Sequence, residues 1–316
     1  MALHSFAVVV VVVALVSCLL APPAVEASSI NISTYWGTDA RDGDHLKNAC
    51  NASLYSIVNI GFVDRFGYHW PPRLNIHQCN ASEGKCKYLG PEIEECQKNG
   101  VKVLISIGGP GGDYNLPSSG RAKMLAEYLW DAYLGGNKSS VDRPFGDAIL
   151  DGVDFFIQAG SGLHWDVLAE ALRILSNING TQMELSATPK CKYPDKYLDA
   201  AIQTGLFDYA QVRFYDEVDC QYNGSFDPMI TAWDEWAVKA KVDKIFAGVP
   251  ANESDPGYVD PYLLVNGPFL QHIMTSPKFG GVMVWYVYTD LQSGYSRIIK
   301  SLNSPIQTAP SGVEVE

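Results

Sequence analysis

Four side chains within one short run could do chemistry together: Asp151, Asp154, Phe156 and Gln158, in Asp151-Gly152-Val153-Asp154-Phe155-Phe156-Ile157-Gln158. The run is apolar between its polar residues and reads as a buried β-strand. Side chains two apart share a strand face, so Asp154, Phe156 and Gln158 line up together. A carboxylate on a buried face is costly unless it is paired. Asp154 therefore reads as part of a site or as a tie between neighbouring strands. Neither partner on its face is an acid: Gln158 can hydrogen-bond but has no proton to give near neutral pH, and the Phe156 ring can do neither.

Other chemistries find no footing. Gly108-Gly109-Pro110-Gly111-Gly112 lacks both GxGxxG and a GK[ST] ending, so it reads as a tight turn rather than a phosphate cradle. No CxxC occurs, and His45, His69, His77, His164 and His272 do not cluster in sequence, which predicts neither a metal nor a cofactor.

The elements around the run set where it must sit. Strands are predicted at 30–35, 54–62, 101–107, 152–157, 183–187, 209–214, 244–248 and 281–285, from Val/Ile/Leu-rich runs bounded by Gly, Asp or Pro. Helices are predicted at 91–99, 119–134, 164–177 and 228–239 from apolar periodicity and terminal signals. This alternation predicts an α/β fold, a single (β/α)8 TIM barrel without a linker. In such a barrel, function lies at the C-terminal ends of the strands.

The chain ends and the composition suggest a compartment. The apolar run from Phe6 to Leu20, followed by Val25-Glu26-Ala27, predicts a signal peptide over 1–27. The barrel then spans 28–303, and 304–316 is expected to be a disordered polar tail. Cleavage removes Cys18 and leaves six cysteines, whose even number in a secreted, apoplastic chain favours three disulfides of fifteen possible arrangements. Sequons stand at Asn31, Asn51, Asn80, Asn137, Asn179, Asn223 and Asn252, as in a glycoprotein. With 35 acids against 23 bases and no basic cluster, nucleic acid and membrane are not expected as partners, and a monomer is.

The Asp151–Gln158 run resembles the DGxDxDxE signature of glycoside hydrolase family 18, with DGxD intact and the last two acids replaced. Ser33-Thr34-Tyr35-Trp36-Gly37, Ile105-Ser106-Ile107-Gly108-Gly109, Phe214-Tyr215 and Gly280-Gly281-Val282-Met283-Val284-Trp285 resemble other strands of that family, notably of plant class III chitinases. In those enzymes a glutamic acid protonates the leaving oxygen, the substrate's N-acetyl group attacks, and a neighbouring acid steadies the oxazolinium ion. The resemblance places these two acids at 158 and 156, so the expectation is a degenerate catalytic site and no enzymatic activity. It further implies the pairs Cys50–Cys96, Cys79–Cys86 and Cys191–Cys220, and a former sugar cleft at Arg213, Tyr215 and Trp285.

Ser140-Val141-Asp142-Arg143-Pro144-Phe145-Gly146-Asp147, with Leu129-Trp130, Tyr133-Leu134-Gly135-Gly136 and Val212-Arg213-Phe214-Tyr215, is similar to the cereal xylanase inhibitor proteins. That resemblance implies a microbial xylanase as partner and a role in plant defence. Inhibitors of family 11 xylanases use an arginine on the loop after the fourth helix; here 177–182 has none and carries the Asn179 sequon. A family 10 enzyme would instead meet the seventh unit, where Lys239, Lys241 and Lys244 lie, although these lysines equally suit a solvated helix face. The alternatives are a lectin for chitin oligosaccharides, with Tyr215 and Trp285 as stacking faces, and a storage or stress protein.

Overall fold

The computed structural model describes residues 30–302. The expected signal peptide and polar tail lie outside the described residues. Eight parallel strands alternate with helices: β1 (Ile32–Trp36), β2 (Ile57–Phe66), β3 (Lys102–Gly108), β4 (Gly152–Phe156), β5 (Glu184–Ala187), β6 (Phe207–Arg213), β7 (Val242–Pro250) and β8 (Phe279–Trp285). Each pairs with its neighbours in parallel, and β1 pairs with both β8 and β2, which closes the barrel. All eight expected strands are present, with ends displaced by a few residues. The largest displacement is at the end of β2, which continues to Phe66. There it gains partners outside the barrel, pairing antiparallel with Arg73–Leu74 and parallel with Asp113–Tyr114.

Helices ring the barrel: α1 (Leu46–Asn51), α2 (Leu89–Lys98), α3 (Ser119–Tyr133), α4 (Trp165–Ile178), α5 (Asp199–Ile202), α6 (Asp227–Lys239), α7 (Pro261–Asn266), α8 (Pro268–Met274), α9 (Val287–Ser293) and α10 (Tyr295–Leu302). The four predicted helices are α2, α3, α4 and α6. The others are at most eight residues long, too short for an apolar period to stand out. Local chemistry sets their ends. The Ser118 hydroxyl accepts from Arg121 N at 3.3 Å and caps α3. The Asp260 carboxylate accepts from Tyr262 N and Leu263 N before Pro261 opens α7.

Two apolar layers result. The larger lies between strands and helices; in α4 it takes Trp165, Leu168, Ala169 and Leu172, all fully buried. Each such large side chain stabilises the fold by about 1.5–3 kcal/mol. The smaller layer fills the barrel with Tyr35, Ile57, Phe62, Leu104, Phe156, Tyr209, Tyr215, Phe246 and Met283. Cys50–Cys96 joins α1 to α2, Cys79–Cys86 closes a small loop before α2, and Cys191–Cys220 joins the loops after β5 and β6. The arrangement is the (β/α)8 TIM barrel with three disulfides that the sequence suggested. Among the described residues no helix is long and apolar enough to cross a membrane.

Candidate functional site

Strand β4 aims its alternate side chains into the barrel. Asp154, fully buried, sits at the centre of a polar network spanning six strands and the loop after β5. One carboxylate oxygen accepts from Ser106 Oγ at 2.6 Å and Tyr35 OH at 2.8 Å; the other accepts from Thr188 Oγ1 at 2.8 Å. Behind them Gln211 donates to Ser186 Oγ at 2.8 Å and accepts from Ser33 Oγ at 2.6 Å, and Asn59 donates to Ser33 Oγ at 3.1 Å. Burial pushes the Asp154 carboxyl above the ordinary carboxylate range, and the hydroxyl donors oppose that shift. With Gln211 Nε2 donating at 3.4 Å as well, four donors to one buried carboxylate fit the strand tie weighed from the sequence.

One pleat on, Phe156 is 1% exposed and fills the barrel mouth. Its ring centroid lies 5.4 Å from Tyr35, 5.3 Å from Phe62 and 5.5 Å from Trp285. Arg213, also 1% exposed, comes from the end of β6 and lays its guanidinium 4.5 Å from the Phe156 ring centroid. Arg213 Nη1 donates to Gln158 Oε1 at 2.9 Å, and Gln158 N donates to Tyr114 OH at 3.1 Å. Gln158 is thus held by its amide oxygen in a half-buried position. Tyr215 is 3% exposed and buried beneath the mouth, where burial raises its phenol well above the usual range. Trp285 is half-buried, 6.4 Å from Tyr215.

The structure therefore brings together Asp154, Phe156, Gln158, Arg213, Tyr215 and Trp285. Asp151 is elsewhere. It precedes β4 at the opposite end of the barrel, where its carboxylate accepts from Val103 N at 2.7 Å and Gln97 Nε2 at 3.0 Å, tying β3 and α2. The lysines also lie away from the mouth, near the start of β7. Lys239 pairs with Glu235 at 2.8 Å, and Lys244 Nζ donates to Pro277 O at 2.9 Å. The sequon asparagines are exposed apart from half-buried Asn252. Asn31, however, donates to Gly280 O at 3.3 Å and accepts from Ser56 Oγ at 3.1 Å beside β1. Tyr35, Phe62, Tyr114 and Gln211 are site residues that sequence reasoning passed over. Inward alternation along β1 was the available signal for Tyr35.

Residues 31–254 match the model of glycosyl hydrolases family 18. The chain belongs to that family. An acidic endochitinase of Cicer arietinum is 44% identical over 279 residues, covering 87% of this chain and 92% of its own. A solved chitinase from Ipomoea carnea is 39% identical, covers 86% of this chain and 99% of its own, and superposes with a TM-score of 0.82. A solved xylanase and alpha-amylase inhibitor protein from Scadoxus multiflorus is 37% identical, covers 88% of this chain and 100% of its own, with a TM-score of 0.81. These relatives correct one expectation. Phe156 and Gln158 predicted a chain without enzymatic activity, yet relatives 44% and 39% identical over most of its length are named an acidic endochitinase and a chitinase. Two replaced side chains define the local chemistry at β4; they do not decide activity for the whole chain. Hydrolysis by this family 18 barrel is accordingly a quantity to measure, with Gln158 as an amide that cannot itself supply the leaving group's proton.

Proposed function

We propose that this family 18 barrel is a secreted plant-defence protein that binds a microbial xylanase, of family 10 rather than family 11. One observation carries the reading: Phe156 fills the barrel mouth and buried Arg213 covers it, with Gln158 held against the guanidinium. Stacking area that a sugar ring would use is spent on internal packing, since Phe156 and Tyr215 are both buried. Recognition then falls to the outer surface. A xylanase inhibitor at 37% identity over the whole of its own length supports the same direction. On the seventh unit, Lys239, Lys241 and Lys244 offer cations to the partner. The loop after α4 offers no arginine, and the Asn179 amide donates to Leu175 O at 2.8 Å there.

The test is titration of purified chain against one family 10 and one family 11 xylanase, with chitotetraose cleavage followed in the same preparation. Inhibition of the family 10 enzyme at micromolar concentration or below, weakened by Lys239→Ala/Lys241→Ala/Lys244→Ala, is expected. Inhibition of neither enzyme would sink the reading. Export is tested separately, by sequencing the N-terminus of protein recovered from apoplastic fluid; a mature chain beginning at Ser28 is expected.

A further inference from the structure

In a chain with 35 acids and 23 bases, three lysines and a buried arginine converge on a single cavity. The cavity measures about 370 Å³ and opens beside Gln158, walled by Lys190, Lys192, Lys196 and Arg213. Two acids share the wall, and both are engaged. Asp195 accepts from the backbone N–H groups of Lys190, Tyr197 and Leu198 at 3.0, 2.9 and 2.8 Å, while Glu217 lies 3.5 Å from Lys190 Nζ. Lys190 Nζ also donates to Asp216 O at 2.7 Å. Lys192 pairs with Asp219 at 2.6 Å, where both side chains are more than half exposed, and a solvated pair of this kind is readily exchanged. Lys196 Nζ stands 4.8 Å from the ring centroid of half-buried Tyr197. Cations thus outnumber acids around the wall, four to two.

Arg213 supplies a second, independent pointer. It is 1% exposed and donates Nη1 to Gln158, but its Nε and Nη2 have no hydrogen-bond partner among the described residues. Both nitrogens are closed to solvent, so Arg213 acts on the cavity as a poorly neutralised charge just behind its wall, favouring an anion there through space. The cavity is also built to hold its shape, because its loops follow β5 and β6 and are joined by Cys191–Cys220. Its volume suits a small ligand, at the lower end of the roughly 300–1,000 Å³ usual for such pockets. Concavity, the Tyr197 ring and a cationic wall together select a sugar that carries its own charge.

We propose that this cavity binds an acidic oligosaccharide, with the carboxylate of a uronic acid residue held by the lysine ammoniums and favoured by the charge of Arg213 behind them. The inference is independent of the xylanase reading, whose titration can fail without affecting it. Calorimetry of the intact protein with trigalacturonate, chitotetraose, sodium sulfate and an acidic peptide provides the test. Trigalacturonate is expected to bind, with affinity that falls as salt rises. The exposed pair of substitutions Lys192→Ala/Lys196→Ala, which leaves the barrel interior untouched, should weaken it tenfold or more. Three results would overturn the proposal: no heat with trigalacturonate, unchanged affinity in the double variant, or displacement by equimolar sulfate, which would reduce the cavity to a general anion site. Tighter binding of the acidic peptide would assign the cavity to protein carboxylates and overturn it as well.

Discussion

Gln158 and Arg213 act as one unit, and that coupling decides what a single substitution can achieve. Gln158→Glu would set a carboxylate where Oε1 now accepts from Arg213 Nη1 at 2.9 Å. A buried guanidinium at that distance favours the ionised carboxylate, which has no proton to donate. Gln158→Glu alone is therefore expected to raise chitotetraose cleavage less than about tenfold, short of the ~10²–10⁴ that a working general acid contributes. Adding Arg213→Gln removes the cation and should raise the rate by roughly a further tenfold, read by chromatography of the products. Equal rates for the single and double variants would show that Arg213 does not control position 158. Asp154 makes a complementary case about stability. Its folded-state pKa lies above the unfolded one, so between the two values the folded chain holds a proton that the unfolded chain has lost. Stability from this group is therefore present below the unfolded value and lost as pH rises through that interval, by up to about 1.4 kcal/mol for each pH step of one. Asp154→Asn should flatten the slope, seen as a smaller difference in denaturant midpoint between acidic and neutral buffer; an unchanged slope would place the titration elsewhere.

At the level of elements, β4 shows why a motif can be read before its reasons are known. Asp151-Gly152-Val153-Asp154 identified the strand, but only the packing explains its glycine. A Cβ on Gly152 would sit 2.0 Å from the Glu184 carbonyl oxygen of β5, so the two backbones can pair only if position 152 has none. Gly152→Ala is expected to cost about 2–4 kcal/mol, as overpacking against rigid backbone does. Gly100, at φ +79° with nothing within 4 Å of a built Cβ, should cost only about 1–2 kcal/mol as Ala, for the left-handed backbone alone. Chemical denaturation of both variants checks the order, and a milder effect at 152 would mean that β4 and β5 can part. The same contrast separates what could be read in the sequence from what could not. Eight strands were legible because buried parallel strands leave runs of Val and Ile, and Asp154, Phe156 and Gln158 because a strand has a period of two. The Arg213–Phe156 contact was not, since its partners are fifty-seven positions apart and only barrel closure brings β4 and β6 to one mouth. Nor was the lysine cavity, whose walls come from the ends of β4, β5 and β6. Lys190, Lys192 and Lys196 stand within seven residues, but nothing in that run shows that Arg213 and Gln158 complete a concave wall around them.

For the whole molecule, the disulfides bear on stability unequally. Cys50–Cys96 spans 46 residues, Cys191–Cys220 spans 29 and Cys79–Cys86 only 7. A cross-link stabilises mainly by limiting the unfolded chain, and its effect grows with the logarithm of the loop it closes. The longest and shortest bridges should then differ by about 1.7 kcal/mol in favour of Cys50–Cys96. Packing works in the same direction: Cys50 and Cys96 are both buried between α1 and α2, while Cys79 is only partly covered. Paired Cys→Ala variants, unfolded in denaturant without reductant, should therefore rank with loss of Cys50–Cys96 the most damaging and loss of Cys79–Cys86 the least. Cys191–Cys220 should fall between them in stability yet stand apart in binding, because it joins the two loops of the cationic cavity. Its removal is expected to weaken trigalacturonate binding at temperatures where the barrel is still fully folded by circular dichroism. If instead binding and folding are lost together at every temperature, the bridge serves the barrel as a whole and not the cavity in particular.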